Sequence, residues 1–224
     1  MGGGRKIRAG LPVETRRDDR TTAAHDACGA DYSAPDGREV FLMQKALVII
    51  DMLDDFILPS GKLYFEKGRT VVGPIARLKV AFRDCGAPVI YGNDAHPENS
   101  QEFSEWAAHC LVGSSGARII QELSPEPGDI VLHKNSLSLF HDGIAERILN
   151  GLDVSHLYLV GVATEYSIKS CAIDAMKRGL TATVVSDAIA GVDLRTGDAE
   201  QALEAMRHAG VRFMTAQSLL ATLS

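Results

Sequence analysis

Six short apolar runs recur along the chain, and most are separated by stretches with helical spacing. The runs are KALVIID (45–51), APVIYGND (87–94), DIVLHK (129–134), HLYLVG (156–161), TATVVSD (181–187) and VRFMT (211–215). Segments 70–86, 143–152, 165–179 and 198–210 carry the helical pattern, and AQSLLATL supplies a closing helix. Segments 70–86 and 165–179 end on glycine, a helix stop. Runs that are apolar throughout suit strands covered on both faces, as in parallel sheets flanked by helices. The pattern predicts an α/β fold: a doubly wound six-stranded parallel sheet flanked by helices, in a single domain over residues 43–224.

Residues 1–42 read differently. They are rich in Gly, Arg, Asp, Thr and Ala and hold no periodic apolar stretch before VFLM. Such a segment buries too little apolar area to offset the entropy of ordering it, so it reads as a disordered tail or extension. Met43 stands just before the first strand signal. Two readings stay open: a natural start at Met43 with an artefactual leader, or a genuine tail.

Composition narrows the function classes. The chain has 23 Lys+Arg against 29 Asp+Glu, a formal net charge of −6. That balance argues against a nucleic-acid partner. No apolar run approaches the roughly 18 residues of a membrane span, so no membrane partner is expected. Cys28, Cys85, Cys110 and Cys171 form no CxxC pair. Scattered thiols without a secretory leader point to a reducing, cytoplasmic setting.

In doubly wound sheets, reactive groups gather beyond the carboxyl ends of the strands. The first run ends in Asp51, the second in Asp94 and the third in Lys134. The fourth runs into GVATEYS, where a helix carrying Ser167 begins. Each residue alone is weak evidence, because strand-end charges are commonly solvated or cap turns. Four chemically distinct groups on one sheet edge point to a site. Asp94-x-His96, with His109 returning from the following loop, also has metal-site spacing. Two ligands two residues apart at a strand end point the same way. Two imidazoles and a carboxylate leave open coordination positions on a divalent ion.

The stretches ALVIIDMLDDF, NDAHPENSQEF, EWAAHCLVGSSGA, HKNSLSLF, GVATEYSIKSCAIDAMKRG and SDAIAGV, in this order, resemble the isochorismatase-like cysteine hydrolases. Within that superfamily the likeness is greatest to the nicotinamidases. The resemblance implies a metal-dependent amidohydrolase that converts nicotinamide or a similar small amide to the acid and ammonia. It also implies a homo-oligomer. The family triad of Asp, Lys and Cys falls on Asp51, Lys134 and Ser167. Oxyanion donors fall near Ala163 and residue 167, with a cis peptide before Ala163. Asp94, His96 and His109, with Glu102 as a fourth ligand, would hold zinc, or else manganese or iron. Phe56, Trp106 and Tyr166 would line the ring of the substrate.

Ser167 departs from the family pattern. A thiolate at a helix start beside an ammonium is nucleophilic at neutral pH, whereas a serine hydroxyl there has no matched base. Cys171 lies one turn later and cannot be slid into register without displacing both GVATEY and the DA of AIDA. Three readings of Ser167 stay open: an introduced Cys→Ser exchange, a natural variant with altered activity, or a retired enzyme that only binds ligand. Among active alternatives stand an N-carbamoyl amidase and an isochorismatase-like hydrolase, although isochorismatases do not usually keep this metal set.

Overall fold

The computed structural model describes residues 44–223, together with Met1. The tail expected over residues 2–42, with Cys28 in it, lies outside the described residues. The chain forms β1 (Gln44–Ile50), α1 (Asp54–Ile57), α2 (Lys67–Thr70), α3 (Val72–Asp84), β2 (Val89–Asp94) and β3 (Ile130–Lys134). It continues through α4 (Ile144–Gly151), β4 (Val154–Val162), α5 (Lys169–Lys177), β5 (Thr181–Ala190), α6 (Asp198–His208), β6 (Arg212–Met214) and α7 (Ala216–Leu220). All strand pairings are parallel, in the order β3-β2-β1-β4-β5-β6. The expected six-stranded doubly wound sheet is therefore present.

The apolar run of β1 explains its central place. Ala46, Val48 and Ile50 face one layer, where Leu149 of α4, Ala172 and Ala175 of α5 and Met206 of α6 pack. Leu47 and Ile49 face the other, where α3 presents Val72, Ile75, Leu78 and Phe82 at helical spacing. Each of the Val, Leu, Ile, Phe and Met side chains among these contributes about 1.5–3 kcal/mol on burial. Helix ends follow local chemistry. Thr215 caps α7 by accepting from the Ser218 N–H. Asp198 and Glu200 sit in the first turn of α6 and Arg207 and His208 in its last, matching the helix dipole.

The strand order reverses at β1, which pairs with both β2 and β4. A crevice opens at such a reversal, beyond the strand ends. Gly161 lets β4 close on β1 there. It has φ +117°, and a Cβ would lie 2.0 Å from the Ile50 carbonyl oxygen. Several boundaries differ from the sequence reading. β5 continues past Asp187 to Ala190. The segment read as one helix from 165 opens instead with a π turn over Thr164–Ile168, before α5.

Candidate active site

Asp51 follows β1 directly, in a left-handed conformation (φ +52°). Asp is among the few residues that adopt it at modest cost. Its side chain turns back over the sheet edge and is 2% exposed. Asp51 Oδ1 accepts the Asp94 backbone N–H at 2.8 Å, and Oδ2 accepts from Lys134 Nζ at 2.8 Å. Lys134 Nζ also donates to Asp94 Oδ1 and, at 3.2 Å, to Ser167 Oγ. One ammonium thus ties together the ends of β1, β2 and β3 and the π turn after β4. All four side chains are buried.

Burial and charge set the protonation. Desolvation, reinforced by the Asp94 carboxylate, outweighs Lys134 and raises Asp51 to about 6. Burial also opposes ionisation of Asp94, but Lys134 and His96 outweigh it and hold its pKa below the usual carboxylate value. Burial works against the Lys134 ammonium as well, yet Asp51 and Asp94 overcome it and keep the lysine charged. The peptide between Val162 and Ala163 is cis, as the resemblance implied, and Ala163 lines the cavity with Ser167.

The metal-type residues lie beside this cluster. One ligand atom each from Asp94, His96 and His109 falls within 4.8 Å of the others, and all three residues are buried. His96 Nδ1 is engaged by Asn135 Oδ1 at 2.7 Å, and His109 Nδ1 by the Ala107 carbonyl at 2.8 Å. Both Nε2 atoms are thereby turned inward. His96 Nε2 is buried without a hydrogen-bond partner, 3.6 Å from Asp94 Oδ2. Such an orphaned nitrogen, in a set of two imidazoles and a carboxylate, fits a divalent cation. Glu102 approaches from the rim, with oxygens 3.7 Å from His96 Nε2 and 3.8 Å from His109 Nε2.

A cavity of about 870 Å³ opens above both clusters. Phe56, Trp106 and Tyr166 all line it. Phe56 packs against His109 with ring centroids 5.5 Å apart, and Trp106 meets Tyr166 edge-on at 5.4 Å. Every residue singled out for the site is therefore at this cavity or in the cluster beneath it.

Cys171 is not. Its Sγ accepts the Leu139 N–H at 3.2 Å, and the residue is fully buried on the core-facing side of α5. Desolvation pushes its thiol up to about 12. Cys110 is buried and Cys85 is half-buried, its Sγ donating to the Leu223 carbonyl.

Sequence reasoning missed three residues. Asp55 accepts the Cys110 N–H at 2.7 Å and the Lys62 N–H at 3.1 Å, joining the His109 loop to the cavity wall. Asn135 orients His96, and Glu165 holds the backbone of the loop after β5. All three act on atoms distant in sequence, which single-chain spacing does not show. The wall segment Lys62–Phe65 was also missed. The adjacent aromatics Tyr64 and Phe65 in a polar loop were its one available signal.

Residues 45–218 match the isochorismatase domain family, and the chain belongs to that family. The nicotinamidase of Escherichia coli (strain K12) is 27% identical over 203 residues, covering 76% of this chain and 94% of that protein. A pyrazinamidase of Pyrococcus horikoshii in complex with zinc superposes with a TM-score of 0.71 at 30% identity, covering 77% of this chain and 99% of the other. The N-carbamoylsarcosine amidase of Thermoplasma acidophilum gives 0.70 at 30% identity, covering 78% and 97%. These relatives are amidases by name. Among the described residues no helix is long and apolar enough to cross a membrane.

Proposed function

We propose that this site is that of a metal-dependent amidohydrolase of the nicotinamidase type, whose nucleophile position is held by Ser167. Its substrate is nicotinamide or a similar small amide, and its products are the acid and ammonia. The observation that carries the reading is the single Lys134 ammonium bonded to Asp51, Asp94 and Ser167, beneath an aromatic-walled cavity with the Asp94, His96 and His109 set alongside. The nicotinamidase and pyrazinamidase relatives support the substrate class.

The residues divide the work by chemistry. With a thiol at position 167, Lys134 and the start of the helix stabilise the thiolate. Asp51, buried and raised toward neutrality, takes the thiol proton and returns it to the departing ammonia. Backbone N–H groups near Ala163 and residue 167 receive the oxyanion. Water then attacks the thioester, Asp51 taking one of its protons and passing it to the sulfur as the C–S bond breaks, which releases the acid and regenerates the thiol. Phe56, Trp106 and Tyr166 orient the ring. A divalent ion, zinc first with manganese or iron as alternatives, would be held by Asp94, His96, His109 and Glu102, and when bound it supplies a coordination position for a ring nitrogen.

The serine hydroxyl does not fit this scheme. Its pKa lies far above that of a thiol, and no histidine at the site reaches Ser167 Oγ among the described hydrogen bonds. The chain as written therefore turns over slowly or not at all, and Ser167→Cys supplies the missing group. Ammonia release by the Ser167→Cys protein tests the reading. Ser167 also favours a second reading, a silent ligand-binding protein, which predicts that Ser167→Cys stays inert while nicotinamide still binds. The Thermoplasma relative makes N-carbamoyl compounds the next substrates to assay. A homo-oligomer in a reducing cytoplasm completes the proposal, the latter supported by the buried free thiols of Cys110 and Cys171.

A further inference from the structure

Glu165 lies two residues before Ser167, on the π turn that presents the nucleophile position. Its side chain does not point into the cavity. It runs under the loop that follows β5, where Oε1 accepts two successive backbone N–H groups, Val192 at 2.8 Å and Asp193 at 2.7 Å. The residue is 6% exposed. Gly191 makes the approach possible, since a Cβ there would lie 2.8 Å from Glu165 Oε2 and 2.7 Å from the Ala199 Cβ. The loop is then pinned from its other side. Asp193, at φ +55°, accepts the Ala199 N–H at 2.9 Å and pairs with Lys67 at 3.0 Å. Val192, Leu194 and Arg195 of this same loop form one wall of the cavity.

We propose that Glu165 is a positioning residue that locks this wall to the nucleophile turn and so sets how the substrate is held against residue 167. The inference rests on the amidohydrolase reading for its substrate, but not for its mechanics. A buried carboxylate accepting two adjacent amides makes a charge-assisted clamp. The Val192–Arg195 segment has Leu194 largely in solvent, so little apolar packing replaces the clamp if it is lost. The wall then becomes mobile, while Asp51 and Lys134, bonded on the other side of residue 167, stay in place. Substrate grip is lost more than chemistry.

The experiment compares Glu165→Ala and Glu165→Gln in the Ser167→Cys protein. KM for nicotinamide rises at least tenfold in Glu165→Ala with kcat within about threefold, and Glu165→Gln, which keeps an acceptor oxygen, recovers part of the loss. Amide hydrogen exchange at Val192 and Asp193 accelerates at least tenfold in Glu165→Ala. A lowered melting temperature with unchanged KM and unchanged exchange at these two amides overturns the inference. If the Ser167→Cys parent itself releases no ammonia, the amidohydrolase reading fails, and the exchange rates alone still decide whether Glu165 clamps the wall.

Discussion

Asp94 and Lys134 are paired residues at the ends of adjacent parallel strands, and the lysine ammonium donates to Asp94 Oδ1. The other Asp94 oxygen faces His96 Nε2 at 3.6 Å. One carboxylate therefore belongs to both halves of the site. It balances the charge of Lys134 and supplies the anionic member of the metal-type set. Asp94→Asn should weaken divalent-ion binding and lower the activity of the Ser167→Cys protein together. Loss of one without the other would show that the halves are independent.

Metal binding should depend on both imidazoles. Purified protein is expected to carry about one divalent ion per chain, and His96→Ala or His109→Ala to lose it. Elemental analysis checks this. Metal retained in both variants would reject the set.

Asn135 should matter without touching the ion. By engaging His96 Nδ1 it fixes the ring with Nε2 inward. Such partners typically contribute 10–100-fold in metal affinity. Asn135→Leu should lose about that much in a zinc competition titration, and Asn135→Asp should not.

Gly116 is required by Asp55. A Cβ at 116 would fall 2.0 Å from Asp55 Oδ2, and Asp55 anchors the Cys110 amide next to His109. Gly116→Ala should cost about 1–3 kcal/mol and reduce metal occupancy. Unchanged denaturant midpoint and occupancy would contradict the geometry.

The sheet was legible because its strands carry continuous apolar runs whose ends coincide with chemically marked residues. KALVIID gave both β1 and Asp51, and VLHK gave both β3 and Lys134. Asp94, His96 and His109 were legible through spacing, and Ser167 through the frame of GVATEY. The rest depended on tertiary contacts. Asp55 reads as one acid in a run of helix-start acids until its bonds to Cys110 and Lys62 are seen. Asn135 is an ordinary loop residue until His96 meets it. The extension of β5 past Asp187 was hidden because polar Ser186 and Asp187 interrupt the apolar run, yet the strand resumes pairing with β4 at Ile189 after a register shift.

The nucleophile position carries the central claim, and one set of ammonia-release measurements tests it. The chain with Ser167 should hydrolyse nicotinamide very slowly or not at all. Ser167→Cys should raise the rate by roughly 10³-fold or more, and adding Asp51→Asn or Lys134→Ala should abolish the gain, because groups acting as a unit are non-additive. Cys171→Ala in the Ser167→Cys protein should keep the rate while losing about 1 kcal/mol of stability from the core. If Cys171→Ala abolishes activity instead, the nucleophile has been misplaced. If Ser167→Cys is inert on nicotinamide, other small amides and N-carbamoyl compounds alike, the amidohydrolase account is contradicted.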